Sequence, residues 1–250
     1  MNSIHHHLDN TFEEAFIGIP QGVGGLEHPF HGNLKTFLRC HPKFMPHSRT
    51  PTVLYMHGSS GLSNGAVFRE YIVEGAGLLF FAPNSHRAEH RPRYCSPAPI
   101  EQYQAIHDFR IAELQHNLER MEELPFIDFD NLFLMGNSEG AVAAATFPST
   151  RFRGRIITAF SCEECYFCRH FRLGSRPDEP FLNIIGRDDD YFAKDSPMNE
   201  NLKVVGHGTE TLKENPNAKV VILPKTRHDI TTNPYAEVEI INFLKHWGGR

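Results

Sequence analysis

The chain has 250 residues, of which 40% are hydrophobic and 22% charged. That supplies a large apolar core at a length suited to one domain, so disorder, collagen and coiled coil are excluded. The net charge is −5 and the Lys and Arg residues are scattered, which argues against a nucleic-acid partner. The longest apolar run, residues 76–83, is too short to span a membrane.

The opening Met1–His7 lacks an apolar signal core, so a cytoplasmic location is expected, with His5–His7 reading as a frayed end. The first fifty residues are rich in Gly, Pro and His. Apolar bursts at Ala15–Ile19 and Lys35–Cys40 predict an irregular opening hairpin. A regular rhythm then begins. Thr52–Met56, Gly77–Ala82, Asn131–Met135, Arg155–Phe160, Phe181–Ile185 and Ala218–Leu223 are short runs that are apolar throughout. Such runs suit strands buried on both faces of a parallel sheet. Between them, Ile111, Leu114, Leu118 and Met121 form a helical stripe. Ala141–Ala145 and the stripe Ile240, Ile241, Leu244 and Trp247 predict two more helices. Strands alternating with helices predict an α/β fold with three layers, a mostly parallel sheet and helices on both faces. One domain over residues 1–250 is expected, with loop insertions at about 84–100 and 162–180. Both loops follow strands, where open α/β sheets place their ligand crevice. Arg87, Arg91 and Arg93, with His86 and His90, make the first loop basic; it reads either as a carboxylate-binding wall or as a solvated surface.

The five cysteines are Cys40, Cys95, Cys162, Cys165 and Cys168. An odd number without a visible signal argues against a disulfide framework. Cys162, Cys165 and Cys168 with His170 have the chemistry for zinc or for redox sensing. The single cluster lacks the two separated ligand pairs of structural zinc sites. Plain structural thiols and no metal are the expectation.

The sharpest pattern is Gly136-Asn137-Ser138-Glu139-Gly140, between an apolar run and a small-residue helix. Strand, tight turn and helix are the context that gives G-x-S-x-G its meaning as a nucleophile elbow. A serine hydroxyl needs a base, an orienting acid and oxyanion donors. In elbow architectures the chain order is serine, acid, histidine. His170 precedes every usable acidic run, and His246 lies in the last helix. That leaves His207, and His228 just beyond the Ala218–Leu223 run; position favours His228. The acid should follow the run Phe181–Ile185, where Asp188, Asp189 and Asp190 are adjacent and residue chemistry leaves the choice open. One oxyanion N–H comes from the residue after the nucleophile, Glu139. The other comes from the turn His57-Gly58-Ser59-Ser60-Gly61, which points to Ser59. His57 reads as packed beneath that turn rather than as a catalytic group.

On these residues the chain resembles the α/β-hydrolases, and within them the dienelactone hydrolase-like proteins. The resemblance rests on His57–Gly61, Gly136–Gly140, Gly186-Arg-Asp-Asp-Asp-Tyr-Phe192 and His228-Asp229, and covers residue 50 onward. It implies the α/β-hydrolase fold and no cofactor. It selects Asp189 as the acid, three residues after Gly186 and two before Tyr191, and Ser59 as an oxyanion donor. Dienelactone hydrolases proper use a cysteine nucleophile and an acidic residue near the oxyanion turn. Here Ser138 and His57-Gly58 stand in those places. The expected activity is therefore cleavage of a carboxylic ester or lactone through an acyl-enzyme, with a small-molecule ester or acyl substrate as the partner and no membrane or nucleic acid. A serine peptidase, an acyltransferase and a non-catalytic binding protein on the same fold are the rival readings.

Overall fold

The computed structural model describes residues 3–248, with side chains from residue 7 onward. The strands are β1 (Phe16–Ile19), β2 (Phe30–Asn33), β3 (Thr50–Met56), β4 (Leu79–Ala82), β5 (Ile127–Asn137), β6 (Gly154–Thr158), β7 (Phe181–Gly186) and β8 (Ala218–Leu223). The helices are α1 (Ser3–Glu13), α2 (Leu34–Cys40), α3 (Gly65–Glu70), α4 (Ile100–Arg120), α5 (Glu139–Thr146), α6 (Thr209–Leu212) and α7 (Pro234–Trp247). The strands form one sheet in the order β2-β1-β4-β3-β5-β6-β7-β8. β1 runs antiparallel to β2 and β4. Every pairing from β4 across to β8 is parallel.

The period-two geometry of strands divides the core into two layers. Leu54, Met56, Leu132 and Leu134 face Leu114 and Leu118 of α4 and Ala141, Val142, Ala144 and Ala145 of α5. Val53, Tyr55, Phe133 and Met135 face the other way, onto Phe68 of α3 and Ala236, Ile240 and Leu244 of α7. Both faces of the central strands are therefore covered, which explains why those strands read as continuous apolar runs. Burying one such Leu or Phe is worth ~1.5–3 kcal/mol relative to leaving it exposed. The edge strand β8 is only partly covered, with Ile222 exposed.

The first fifty residues depart from expectation. β1 and β2 do form a hairpin, pairing Phe16 with Asn33 through Ile19 with Phe30. It is flanked by α1 and α2, two helices the sequence reading missed. His5–His7, read as a frayed end, fall inside α1. Its apolar stripe is brief: Leu8 and Phe12, four residues apart, are buried. The burst Lys35–Cys40 is helical because the Asn33 side chain accepts the N–H of Thr36 at 3.1 Å and caps α2. β5 also begins earlier than its apolar core, at Ile127, and the β3–β5 register shifts between Pro51 and Thr52. No helix among the described residues is long and apolar enough to cross a membrane.

Candidate active site

β5 delivers its last residue into a turn that only glycines permit. Ser138 follows it with φ 53 and ψ −116, a conformation that costs an L-residue about 1–3 kcal/mol. A Cβ on Gly136 would lie 2.5 Å from the Gly140 carbonyl oxygen. A Cβ on Gly140 would lie 2.2 Å from the Met56 carbonyl oxygen. Both glycines are thus required for strand, helix and the neighbouring β3 to meet. The turn is also tied to β6: the Ser138 N–H donates to the Thr158 carbonyl at 3.0 Å. The Thr158 hydroxyl donates to Asn137 Oδ1 at 2.9 Å. The serine is held in one place by backbone on both sides.

His228 and Asp189 converge on it from the ends of β8 and β7. His228 Nε2 is 2.9 Å from Ser138 Oγ. His228 Nδ1 is 2.8 Å from Asp189 Oδ2. The other carboxylate oxygen, Oδ1, accepts the N–H groups of Tyr191 at 2.8 Å and Phe192 at 2.9 Å. Asp189 is fully buried at its side chain, whereas His228 retains 24% exposure. Gly186 makes this approach possible: a Cβ there would sit 2.2 Å from the Arg227 carbonyl oxygen in the loop that carries His228. The three adjacent aspartates separate cleanly. Asp188 is exposed. Asp190 pairs with Arg227, whose guanidinium holds the Asp190 carboxyl below its ordinary range. His207 is bonded to Thr209, while His228 is the histidine on Ser138.

The turn after β3 backs directly onto the serine, for a Cβ on Gly58 would be 3.3 Å from Ser138 Cβ. Ser59 and Glu139 both line the cleft beside Ser138. The Glu139 N–H is the first of α5, one of the four that a helix leaves without an internal acceptor. His86 Nε2 donates to the Ser59 carbonyl at 3.2 Å and braces the turn. His57 is buried. Its Nδ1 donates to the Gly58 carbonyl at 2.7 Å, and its Nε2 accepts the Ser85 N–H at 3.1 Å. Burial, followed by the nearby Arg110 charge, holds His57 well below the ordinary histidine range, so it is a neutral brace.

A buried ionic cluster lies beneath the elbow, and the sequence reading missed it. Arg91 Nη2 donates to Glu139 Oε1 at 2.6 Å. Arg110 Nη1 donates to the same oxygen at 3.3 Å. Arg110 also donates to Ser85 Oγ at 2.7 Å and to the His57 carbonyl at 3.0 Å. Its Nε lies 3.1 Å from Glu113. Burial, and then the Glu139 carboxylate, push the Tyr94 phenol up. The available signal was periodicity: Ile106, Arg110, Glu113 and Asn117 lie on the buried face of α4, while Ile111, read as part of the stripe, is only half-buried.

These groups open into a cleft of about 910 Å³ at the carboxyl ends of the strands. Arg91 and Arg93 line it, but Arg91 is committed to Glu139. Residues of the segment after β6 line it too, through Tyr166 and Phe167. Cys162, Cys165 and Cys168 lie buried within that segment and are unpaired thiols. Burial raises all three, Cys165 to about 11 and Cys168 to about 12, so they are poor nucleophiles at neutral pH. Among the described residues, no group of three or more His, Cys, Asp or Glu side chains is arranged to hold a metal ion.

Solved structures match this architecture over most of the chain. A Thermus thermophilus protein aligns with 94% of this chain and 99% of its own at 18% identity and a TM-score of 0.57. The esterase PE8 covers 80% of this chain and 94% of its own, at 16% identity and a TM-score of 0.55. A proposed dienelactone hydrolase from Klebsiella pneumoniae covers 82% and 90%, at 15% identity and a TM-score of 0.55. The fold is that of the α/β-hydrolases. Within this α/β-hydrolase frame, Ser138 stands after β5 at the carboxyl edge of the sheet, with α5 behind it. No family model and no curated relative matches the sequence.

Proposed function

We propose that the protein is a serine hydrolase that cleaves a carboxylic ester or lactone through an acyl-enzyme intermediate. The observation that carries this reading is the hydrogen-bonded chain from Ser138 Oγ through His228 to Asp189. His228 Nε2 takes the hydroxyl proton as Ser138 Oγ attacks the carbonyl carbon. Asp189 accepts the Nδ1 proton bond, fixes the tautomer and stabilises the imidazolium as it forms. The N–H groups of Ser59 and Glu139 receive the oxyanion, each worth roughly 3 kcal/mol in the transition state. Collapse expels the alcohol, which takes the proton from His228. Water, activated by the same imidazole, then releases the acid.

The exposure of His228 supports hydrolysis, because water needs access to the imidazole in the second half-reaction. The structural likeness to the esterase PE8 and to a ferulic acid esterase from Anaeromyces mucronatus fits the same chemistry. The decisive experiment pairs a fluorophosphonate probe with an ester-hydrolysis assay. Labelling at Ser138, with loss of both labelling and hydrolysis in Ser138→Ala, is the expected result. A wild-type protein that neither reacts with the probe nor hydrolyses any short ester overturns the proposal.

A further inference from the structure

The apolar part of the cleft is built almost wholly of aromatic rings. Tyr94, Tyr166, Phe167, Tyr191 and Phe192 line it, and among the described residues Ala88 is the one aliphatic side chain that joins them. They come from three separate segments: Tyr94 from the loop after β4, Tyr166 and Phe167 from the segment after β6, and Tyr191 and Phe192 from the turn after β7. The rings touch in sequence. Tyr94 and Phe167 have centroids 5.5 Å apart, and Phe167 and Phe192 are 5.9 Å apart. Tyr166 stacks on Phe192 at 26°, and Phe192 reaches His228 at 5.8 Å. An unbroken aromatic wall therefore runs from the far side of the cleft to the imidazole.

This wall is fixed before any ligand arrives. The buried Tyr103 of α4 backs it, with centroids 4.7 Å from Phe167, 5.3 Å from Tyr94 and 5.8 Å from Tyr166. The Tyr103 hydroxyl accepts the Ala98 N–H at 2.9 Å and donates to Ser96 Oγ at 3.1 Å. His107 Nε2 bonds the Phe167 carbonyl at 2.9 Å. The cleft thus offers a ligand ring surfaces rather than mobile aliphatic side chains. A preformed set of ring faces and edges favours a flat ring, through offset and edge-to-face contacts. A planar ligand also loses little internal freedom on binding.

We infer that this aromatic wall is a subsite for a planar aromatic ring, so that the esters turned over best are those carrying an aryl group in the acid or the alcohol part. The inference rests on the hydrolase reading for its chemistry, while the ring subsite itself is measurable without catalysis.

The test uses matched pairs that differ in planarity, and each enzymatic rate ratio is divided by the ratio for hydroxide-catalysed hydrolysis of the same two esters. Methyl phenylacetate is compared with methyl cyclohexylacetate, and benzyl acetate with cyclohexylmethyl acetate. In parallel, phenylacetate and cyclohexylacetate are titrated into the wild-type protein by calorimetry. At least a tenfold preference in kcat/KM for the aryl member of one pair is expected after that division, with phenylacetate the tighter of the two acids. Tyr94→Leu and Tyr166→Leu should each erode that preference severalfold, and Tyr166→Phe should retain it; thermal unfolding checks that the variants fold. Preferential binding of phenylacetate with no ester hydrolysed keeps the subsite and removes the hydrolase reading. A rate ratio no greater than that for hydroxide in both pairs, with equal acid binding, removes the subsite and leaves the hydrolase reading standing. Absence of both hydrolysis and any aryl preference in binding overturns both.

Discussion

Arg110 and Glu139 meet at 3.3 Å with both side chains fully buried. The contact joins the two arms that carry the proposed oxyanion donors. Arg110 holds the His57 carbonyl at the head of the Ser59 turn, and through the carboxylate it holds the residue whose own N–H is the second donor. A carboxylate so close to a developing oxyanion would repel it if bare. Here Arg91 and Arg110 both neutralise it. Arg110→Met leaves Glu139 and Glu113 without this guanidinium in a dry site. Loss of one partner from a buried charge cluster costs about 3–5 kcal/mol. Urea unfolding should show a loss of that size, and kcat should fall more than KM rises. A variant as stable as wild type would mean that the cluster contributes nothing to holding the elbow.

Asp189 and Asp190 are adjacent in sequence and differ in every other respect. Asp189 is buried and bonds His228 Nδ1 along with two backbone N–H groups. Asp190 faces the exposed Arg227. In the proposed mechanism, Asp189→Asn presents the wrong hydrogen-bonding group to the imidazole and lowers kcat on the order of ten-thousand-fold, as in other triads. Asp190→Asn removes a solvent-screened pair and should leave kcat and stability within measurement scatter. Steady-state kinetics on the two variants decide the assignment; equal losses would contradict it.

Legibility in the sequence followed locality. The elbow was readable because its requirement is local: two glycines at fixed offsets from Ser138, between a strand and a helix. The parallel sheet was readable because double-sided burial leaves continuous apolar runs. The ionic cluster was not, since Glu139 lies 48 residues from Arg91 and 29 from Arg110, and charges on a helix ordinarily signal its solvated face. α1 and α2 were missed because their buried stripes are only a few residues long. The choice among the three aspartates came from family resemblance alone. Its physical basis is tertiary: the turn donates its N–H groups to Asp189, and the carboxylate faces a loop that arrives 39 residues later.

Ser138 combines positive φ with a side chain, and that strain is separable from the chemistry. Ser138→Ala keeps the Cβ and therefore the strain, whereas Ser138→Gly removes both hydroxyl and strain. Both should abolish hydrolysis under the proposed mechanism. The glycine variant should be more stable than the alanine variant by about 1 kcal/mol, because glycine reaches positive φ without steric cost. Chemical denaturation of the pair measures this directly. An alanine variant at least as stable as the glycine one would show that the elbow is unstrained at this residue.

Glu113 gives the cluster a pH signature. Burial pushes its carboxyl up from 4.5 to about 7, with Arg110 and then Arg91 pulling the other way. The folded state therefore holds this proton more tightly than the unfolded chain does. Below pH 4.5 both states are protonated and Glu113 carries no penalty. As pH rises from there through about 7 the unfolded chain ionises first, and stability falls. At about 1.4 kcal/mol per tenfold change in proton affinity, the full loss is on the order of 3 kcal/mol above pH 7. Histidines 57, 86 and 107 act oppositely. Burial holds each below 6.5, so their contribution is complete above that pH and is lost as pH falls. The two trends overlap in wild type, and Glu113→Gln separates them by removing only the first. Unfolding free energies measured from pH 4.5 to 8 should show the wild type losing stability relative to Glu113→Gln as pH rises. A difference between the two proteins that stays constant with pH would mean that Glu113 has the same proton affinity folded and unfolded.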